Sequence, residues 1–497
     1  MHDVAVVGAG PAGLAAAVEA AEAGLDVALI DTAAQPGGQY WRHYDESHAR
    51  PGDRAGHHGW PVFTSLRHRL DNLRAAGRIR YLPGRQVWLV TRDAGGSFTV
   101  RVTATVSTAD PPDGAERGLR ARALILCPGG YDRQLPVPGW DLPGVLTAGG
   151  AQALLKGHRT TAGRRAVVAG TGPFLLPVAT GLARAGVRVA AVVEANATRG
   201  WLRDPLGAMS APGKSVEALR YAALLARHRI PYRTRTVIRE ILGTDRVEAV
   251  RIARVDRDGR PAGPAEEIPA DVVALGWGFT PSVELPLMLG AETVQDADGS
   301  LVVAVDDRQR SSVDGLYVAG EATGVGGAAL AVHEGRLSAL ALAAARGRPV
   351  DPGMTRRLRG AVARGRRFAA ALHRTYPVPP EWPRWLSETT LVCRCEEVSY
   401  GALRRAHDDL GAQDARTLKM LARPGMGWCQ GRVCGFATAG IAARLSGRGC
   451  TAQDLRPLAT RSLAVPVPLA ELAELADDRT PVEASEHPTK ERGRAGE

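Results

Sequence analysis

Cysteine is scarce, with six in 497 residues, too few for a disulfide scaffold. Lysine is almost missing. Of 63 basic residues only Lys156, Lys214, Lys419 and Lys490 are lysine, and the other 59 are arginine. That bias fits a GC-rich coding sequence. The arginines are spread along the chain, so the formal charge of +11 reads as composition and not as a nucleic-acid footprint. No apolar run reaches 18 residues: the stretch from residue 4 to residue 30 is broken by Glu19, Glu22, Asp26 and four glycines, so no transmembrane segment is predicted. The first residues carry no basic region and no cleavage-site pattern, which argues against a secretory signal. Four of the six cysteines cluster, as expected of a metal site in a reducing compartment. The expected location is the cytoplasm, or the periphery of the membrane's inner face.

What remains is ordinary globular composition, 45% hydrophobic and 23% charged, with length for about three domains. Residues 1–41 read as strand, glycine turn, helix, strand, and the pattern recurs at 164–194. A helix is expected at 61–78, with short strands at 84–91, 97–106 and 121–127. Residues 233–275 are strand-rich, residues 315–320 form a late strand, and a helix follows from 328 to 345. This predicts two similar α/β domains, with 161–275 inserted into a first one made of 1–160 and 276–350. A helix and linker (351–387), a small unit at 388–450 and a disordered tail at 475–497 complete the layout.

Gly8-Ala9-Gly10-Pro11-Ala12-Gly13 is a GxGxxG turn between a strand and a helix. Gly8 permits the tight turn, Gly10 lets the backbone approach a pyrophosphate, and Gly13 lets the helix close on the strand. The phosphates would meet free N–H groups at the positive end of the helix. Asp31 ends the next strand 23 residues after Gly8, where a carboxylate accepts from ribose hydroxyls. The second turn, Gly170-Thr171-Gly172-Pro173-Phe174-Leu175, puts Leu where the third glycine belongs, which would hold its helix off the strand. Glu194 follows 24 residues after Gly170 and favours a free ribose. This second site is open to NAD(H), to another adenine nucleotide, or to no ligand at all.

Cys393-Arg394-Cys395 is followed by Cys429-Gln430-Gly431-Arg432-Val433-Cys434. Four thiolates suit a 2Fe-2S cluster, two to each iron, the C-x-C pair bringing two ligands to one metal. Gly425, Gly427, Gly431 and Gly435 would let backbone N–H groups reach the sulfurs. A zinc site made by the same cysteines is the alternative, although C-x-C with C-x4-C departs from the usual zinc spacing. Cys450 lies outside the pattern.

Several of these segments resemble known families. Gln35-Pro36-Gly37-Gly38-Gln39 and Gly315-Leu316-Tyr317-Val318-Ala319-Gly320-Glu321 resemble the flavoproteins with two dinucleotide domains. The resemblance implies a glutathione-reductase-like α/β fold with a discontinuous FAD domain. It also implies flavin contacts from Gly38, Gln39, Gly320 and Glu321, the last standing one methylene longer than the family's Asp. Cys127-Pro128-Gly129-Gly130 stands at that family's short crossover, with Cys127 read as a small buried residue. The cysteine segments resemble the bacterioferritin-associated-ferredoxin-like 2Fe-2S domain, small and mainly α. The combination, with Gly130 to Trp140 and Gly276 to Pro281, resembles the group holding the B-type subunit of hydrogen cyanide synthase, the A subunit of opine oxidases and the alpha subunit of (hydroxy)proline dehydrogenases. That resemblance implies an electron-transfer subunit working beside two others, one a small ferredoxin-like subunit, the other an amine-oxidising flavin subunit. The substrate of the complex would be an amine or amino acid.

Two other readings stand beside this one. The chain is a self-contained NADH-dependent reductase feeding a ferredoxin-like acceptor, with Gly170, Gly172 and Glu194 binding NADH; or it is a nucleotide-binding scaffold with a four-cysteine zinc site. No cysteine pair lies in the flavin or second domain to support a disulfide-reductase mechanism, and no catalytic acid or base stands out. His43, His48, His57 and His58 are read as a solvated loop, with a metal site as the alternative. His333 and Glu334 follow the return motif on a helix and are read as lying near the flavin or as structural. The arginines from Arg356 to Arg374 read as one solvated face or as a docking surface for an acidic partner.

Overall fold

The structure is a computed structural model that describes residues 1–54, 56–105, 117–211 and 213–477. The apolar run Val4–Val7 (β1) is buried along its length, passes through helix Pro11–Glu22 (α1), and pairs in parallel with the equally buried Val27–Ile30 (β2). Continuous Val, Ile and Leu runs are what a parallel sheet covered on both faces needs. Strands 124–126 and 316–318 extend the sheet on one side and 79–82 on the other, all parallel. The late strand does return to the first sheet, beside 124–126. Helix Ala328–Ala345 then lies against α1 so closely that a side chain at Gly335 would run into the Ala12 carbonyl.

The second sheet is built around Arg165–Gly170 (β3), helix Leu175–Arg184 (α2) and Arg188–Glu194 (β4). Strand 232–234 flanks β4, and 272–276 flanks β3. The edge beyond 272–276 is strand 145–147, followed by helix Ala148–His158. The pairing therefore assigns 145–158 to the second sheet, before the expected boundary at 161. This segment carries no glycine fingerprint, and a three-residue apolar strand has no period of its own to read. Antiparallel ribbons accompany both sheets, one of strands 85–92, 98–104 and 118–121 and one at 236–269. A two-strand ribbon, Gly130–Asp132 with Phe279–Pro281, joins the outgoing and returning connections between the two domains.

Helix Pro352–Thr375 (α3) starts at Asp351, whose side chain accepts from the Gly353 N–H. It leads through a linker with buried Trp382 and Trp385 to the C-terminal unit. That unit is a short ribbon (391–393 with 398–399) and helices 400–408, 415–422, 435–445 and 452–459. It runs past the expected end at 450, because Leu455 and Leu458 join the core that holds Val392, Cys393 and Ile441. Of the tail expected at 475–497, residues 475–477 end a helix (Leu469–Asp477) and the rest lie outside the described residues. Among the described residues no helix is long and apolar enough to cross a membrane.

Candidate functional site

The first glycine turn divides its glycines by task. Gly8 has φ +97°, and a side chain there would run into the Cys127 carbonyl; one at Gly13 would run into the Gly8 carbonyl. These two hold strand and helix together. Gly10 is different. Its φ is an ordinary −72°, and a Cβ there would meet only the Gly38 Cα, at 3.9 Å. Gly38 (φ +58°) faces it, and a Cβ on Gly38 would come within 2.7 Å of the Gly10 Cα. α1 has Pro11 and no acidic residue in its first turn and no side-chain cap, so its free N–H groups and positive end are left for an anion. Asp31 is buried and accepts from the Ala9 N–H and, at 2.7 Å, from the Ala33 N–H. Burial pushes its carboxyl up against the pull of those two donors.

The return motif meets this cradle. A Cβ on Gly320 (φ +81°) would sit 3.1 Å from the Ala12 Cβ. Glu321 accepts from the Gly327 N–H at 3.1 Å with one oxygen. Its other oxygen is buried and makes no hydrogen bond among the described residues, and burial pushes the carboxyl up to about 7. Gln39 accepts from Arg42 at 2.8 Å. The support beneath has no local signature in the sequence. Glu334, fully buried, accepts from the Gly320 N–H at 2.9 Å and pairs with Arg366 at 2.6 Å. Arg366 also donates to the Gly324 carbonyl at 2.7 Å and to Thr323. The arginine face of α3 is therefore not wholly solvated: Arg366 turns inward. A glycine-walled groove at a helix N-terminus, flanked by acids on two strand ends, fits a flavin dinucleotide.

The second glycine turn is built alike but covered. A side chain at Gly170 (φ +143°) would run into the Gly276 carbonyl. Leu175 is accommodated because it lies against Gly276, where a Cβ would come within 3.0 Å of its Cδ2. Glu194 is fully buried and accepts from the N–H groups of Gly172 (2.8 Å) and Asn196 (2.9 Å) and from the Thr171 hydroxyl (3.1 Å). Burial pushes it up to about 7. Over the turn lies Tyr376, whose Cβ is the nearest atom a Gly172 side chain would meet, at 4.0 Å.

The C-terminal unit brings all four clustered cysteines together. The close sulfur approaches run between the motifs, Cys393 with Cys434 and Cys395 with Cys429, and not within the C-x-C as expected. The hydrogen bond from Cys434 draws the Cys393 thiol down to about 6, helped by the Gly425, Glu396 and Cys395 N–H groups; the Gly425 N–H lies 3.4 Å from the Cys393 sulfur. Gly427 is needed because a side chain there would run into the Cys395 Cβ. Among the described residues no three of these sulfurs lie within 4.8 Å of one another. A single zinc would draw all four to about 3.8 Å, so two separated pairs suit a binuclear cluster better. Cys393 and Cys434 are buried and Cys395 is exposed. Trp428, beside Cys429, is 82% exposed, so one edge of the site is open. Cys450 stands apart, half-buried.

One smaller reading changes in part. In the histidine loop His48 is exposed as expected, but His43, His57 and His58 are packed. The His43 ring lies 5.4 Å from Trp60 and 5.2 Å from Phe63, the His57 ring 4.8 Å from Trp60, and His58 meets the Tyr221 hydroxyl at 2.6 Å. Trp41, Trp60 and Phe63 supply the apolar surface that the loop covers. Lys156 on helix 148–158 approaches the same loop, and burial draws its amine down to about 8. Asp296, Asp298 and His373 are the one group of three with ligating atoms within 4.8 Å among the described residues, but Asp298 is already held by Arg133 at 2.7 Å and by Ser300. Cys127 is buried, and burial pushes its thiol up, which agrees with a packing role.

Residues 2–344 match the model of the pyridine nucleotide-disulphide oxidoreductase family. The opine oxidase A subunit of Rhizobium meliloti is 33% identical over 480 residues, covering 95% of this chain and 88% of that one. Hydrogen cyanide synthase subunit HcnB of Pseudomonas aeruginosa is 31% identical over 446 residues, covering 86% and 90%. L-Proline dehydrogenase from P. horikoshii shares the fold, with a TM-score of 0.66 at 21% identity over 95% of this chain and 79% of that one.

Proposed function

Because this chain belongs to the pyridine nucleotide-disulphide oxidoreductase family and is an FAD-dependent oxidoreductase, we propose that it is the electron-transfer subunit of a hetero-oligomeric dehydrogenase or oxidase acting on an amino acid or secondary amine. The observation that carries this reading is one chain holding both a flavin cradle and a four-cysteine pair of pairs. FAD takes electrons two at a time and releases them singly, and a 2Fe-2S cluster carries them one at a time. Gly10 and Gly38 would hold the pyrophosphate, with Gly8 and Gly13 closing the turn that presents it, Asp31 the adenosine ribose, and Gly320 and Glu321 the ribityl side. Cys393, Cys395, Cys429 and Cys434 would hold the cluster, their backbone donors biasing its potential and the open edge at Cys395 and Trp428 giving an exit. Its two partners are a flavoprotein that oxidises the amine and a small ferredoxin-like protein, and the compartment is the cytoplasm. The likeness to HcnB and to the opine oxidase A subunit, each a subunit of an enzyme, supports work beside other subunits.

The test is anaerobic amine titration of the purified chain, by itself and co-purified with an amine-oxidase-like protein from the same gene neighbourhood. Flavin bleaching by the amine only in the complex is the expected result. Bleaching by the isolated chain would overturn the division of labour, because it would place amine oxidation in this subunit.

A further inference from the structure

The second glycine turn carries the fingerprint of a dinucleotide site, and the fold family implies a nicotinamide nucleotide there. The residues present do not fit one. The polar groups that would receive it are already engaged, Asn196 and Thr171 with the residues after α3 and Glu194 with the turn itself. Asn196, just past β4, donates to the Pro377 carbonyl at 2.9 Å and to the Thr171 hydroxyl at 2.7 Å. The Thr171 hydroxyl in turn lies 3.4 Å from the Tyr376 carbonyl. The Glu194 carboxylate is enclosed by the turn itself. Tyr376 covers Gly172, where a pyrophosphate would lie over the helix N-terminus.

The covering peptide is fastened on both sides. Upstream, Trp201 stacks on Phe368 at 5.6 Å and its indole N–H reaches the Tyr376 hydroxyl at 3.4 Å. Arg374 pairs with Asp204, and Thr375 fills the space beside Gly200, where a Cβ would come within 2.9 Å of its methyl. Downstream, the Glu381 N–H donates to the Asp258 carbonyl at 3.0 Å, and Trp385 donates to the Gly259 carbonyl at 2.8 Å with its ring 5.5 Å from Trp277. Glu381 then accepts from Arg444 of helix 435–445 at 2.8 Å. Contacts thus run without a gap from the glycine turn to the cysteine-bearing unit.

We propose that the second glycine turn is a socket for this chain's own Tyr376–Pro377 peptide and binds no dinucleotide. The domain works as the mount that fixes the linker, and through it the four-cysteine unit, against the flavin domain. Reduced nicotinamide does not feed electrons into this subunit. The Pro377 carbonyl, accepting from Asn196, occupies a donor that a nucleotide would use, and the Thr171 hydroxyl is spent on Glu194.

The test uses the full FAD-loaded chain, so that the first turn is filled. NADH, NADPH and ATP are titrated by calorimetry, with hydrogen exchange followed across residues 368–390. The expected result is no saturable binding at millimolar nucleotide and no change in exchange. Asn196→Ala should speed exchange of the linker amides roughly tenfold, as expected for one lost hydrogen bond. Tyr376→Phe, which keeps the carbonyl contact and loses only the long Trp201 contact, should speed it less. Saturable nucleotide binding would overturn the proposal, whether the linker exchanges faster on binding, as a lid would, or not. So would Asn196→Ala with unchanged linker exchange in a protein whose melting temperature matches the wild type.

Discussion

Replacing Gly10 with alanine separates the fold of the first glycine turn from its function. The backbone at Gly10 is ordinary, with φ −72°, and the new methyl would touch only the Gly38 Cα, at 3.9 Å, a normal contact. Alanine also removes glycine's excess unfolded-state entropy. The apoprotein should therefore be as stable as the wild type, within about 0.5 kcal/mol. The same methyl stands where the backbone must approach a pyrophosphate. Pushing the phosphate off its backbone donors removes one or two charge-assisted hydrogen bonds worth about 1.5–3 kcal/mol each. A loss near 3 kcal/mol is roughly a hundredfold in FAD affinity. Gly13→Ala is the contrast: its methyl would collide with the Gly8 carbonyl, so it should lower both the melting temperature and the FAD content. FAD affinity from fluorescence quenching of the apoprotein, with parallel thermal melts, measures both quantities. Undiminished FAD binding by Gly10→Ala, or destabilisation equal to that of Gly13→Ala, would refute the assignment.

Cys393→Ser or Cys429→Ser should abolish iron and inorganic sulfide in anaerobically prepared protein while FAD stays bound; full cluster content in both variants would remove those ligands from the account. Lys156 gives a pH-dependent prediction. Burial draws its amine from the ordinary 10.5 to about 8, so the charged form is disfavoured in the fold and stability rises with pH between about 8 and 10.5. Lys156→Met should stabilise the protein by about 2 kcal/mol at pH 7, after discount for partial exposure. The gain should shrink above pH 8, as denaturant melts across pH will show. Glu334→Gln keeps the shape but removes the charge that pairs with Arg366. It should lower the melting temperature by several degrees, since the guanidinium is left without its buried partner, and unchanged melting would show that the pair carries no stability.

Both strand–turn–helix–strand units were legible because the signal is local. Gly8 to Asp31 and Gly170 to Glu194 each span one βαβ unit, and every residue of the pattern has a steric or electrostatic job inside it. The return strand at 316–318 was legible for a similar reason, a short apolar run ending in Gly-Glu, and the four cysteines advertised their own convergence. What escaped the sequence joins residues with no local pattern. Arg366 looks like one more arginine on a basic helix until Glu334 is found buried against it. Tyr376 and Pro377 look like a helix end, and only the fold reveals the glycine turn 205 positions earlier beneath them. His43 and His57 looked solvated because the aromatic residues that hold them, Trp60 and Phe63, flank the loop and do not alternate through it. The strand at 145–147 was too short to declare which sheet would take it.

The central claim is that one chain carries a flavin and an iron–sulfur centre. The most direct measurement is the visible absorption spectrum of the chain purified under strict anaerobiosis, recorded before and after dithionite. Flavin bands with a broad absorbance beyond the flavin envelope, both bleached by dithionite, are the predicted result. Flavin bands alone, in protein never exposed to oxygen, would contradict it.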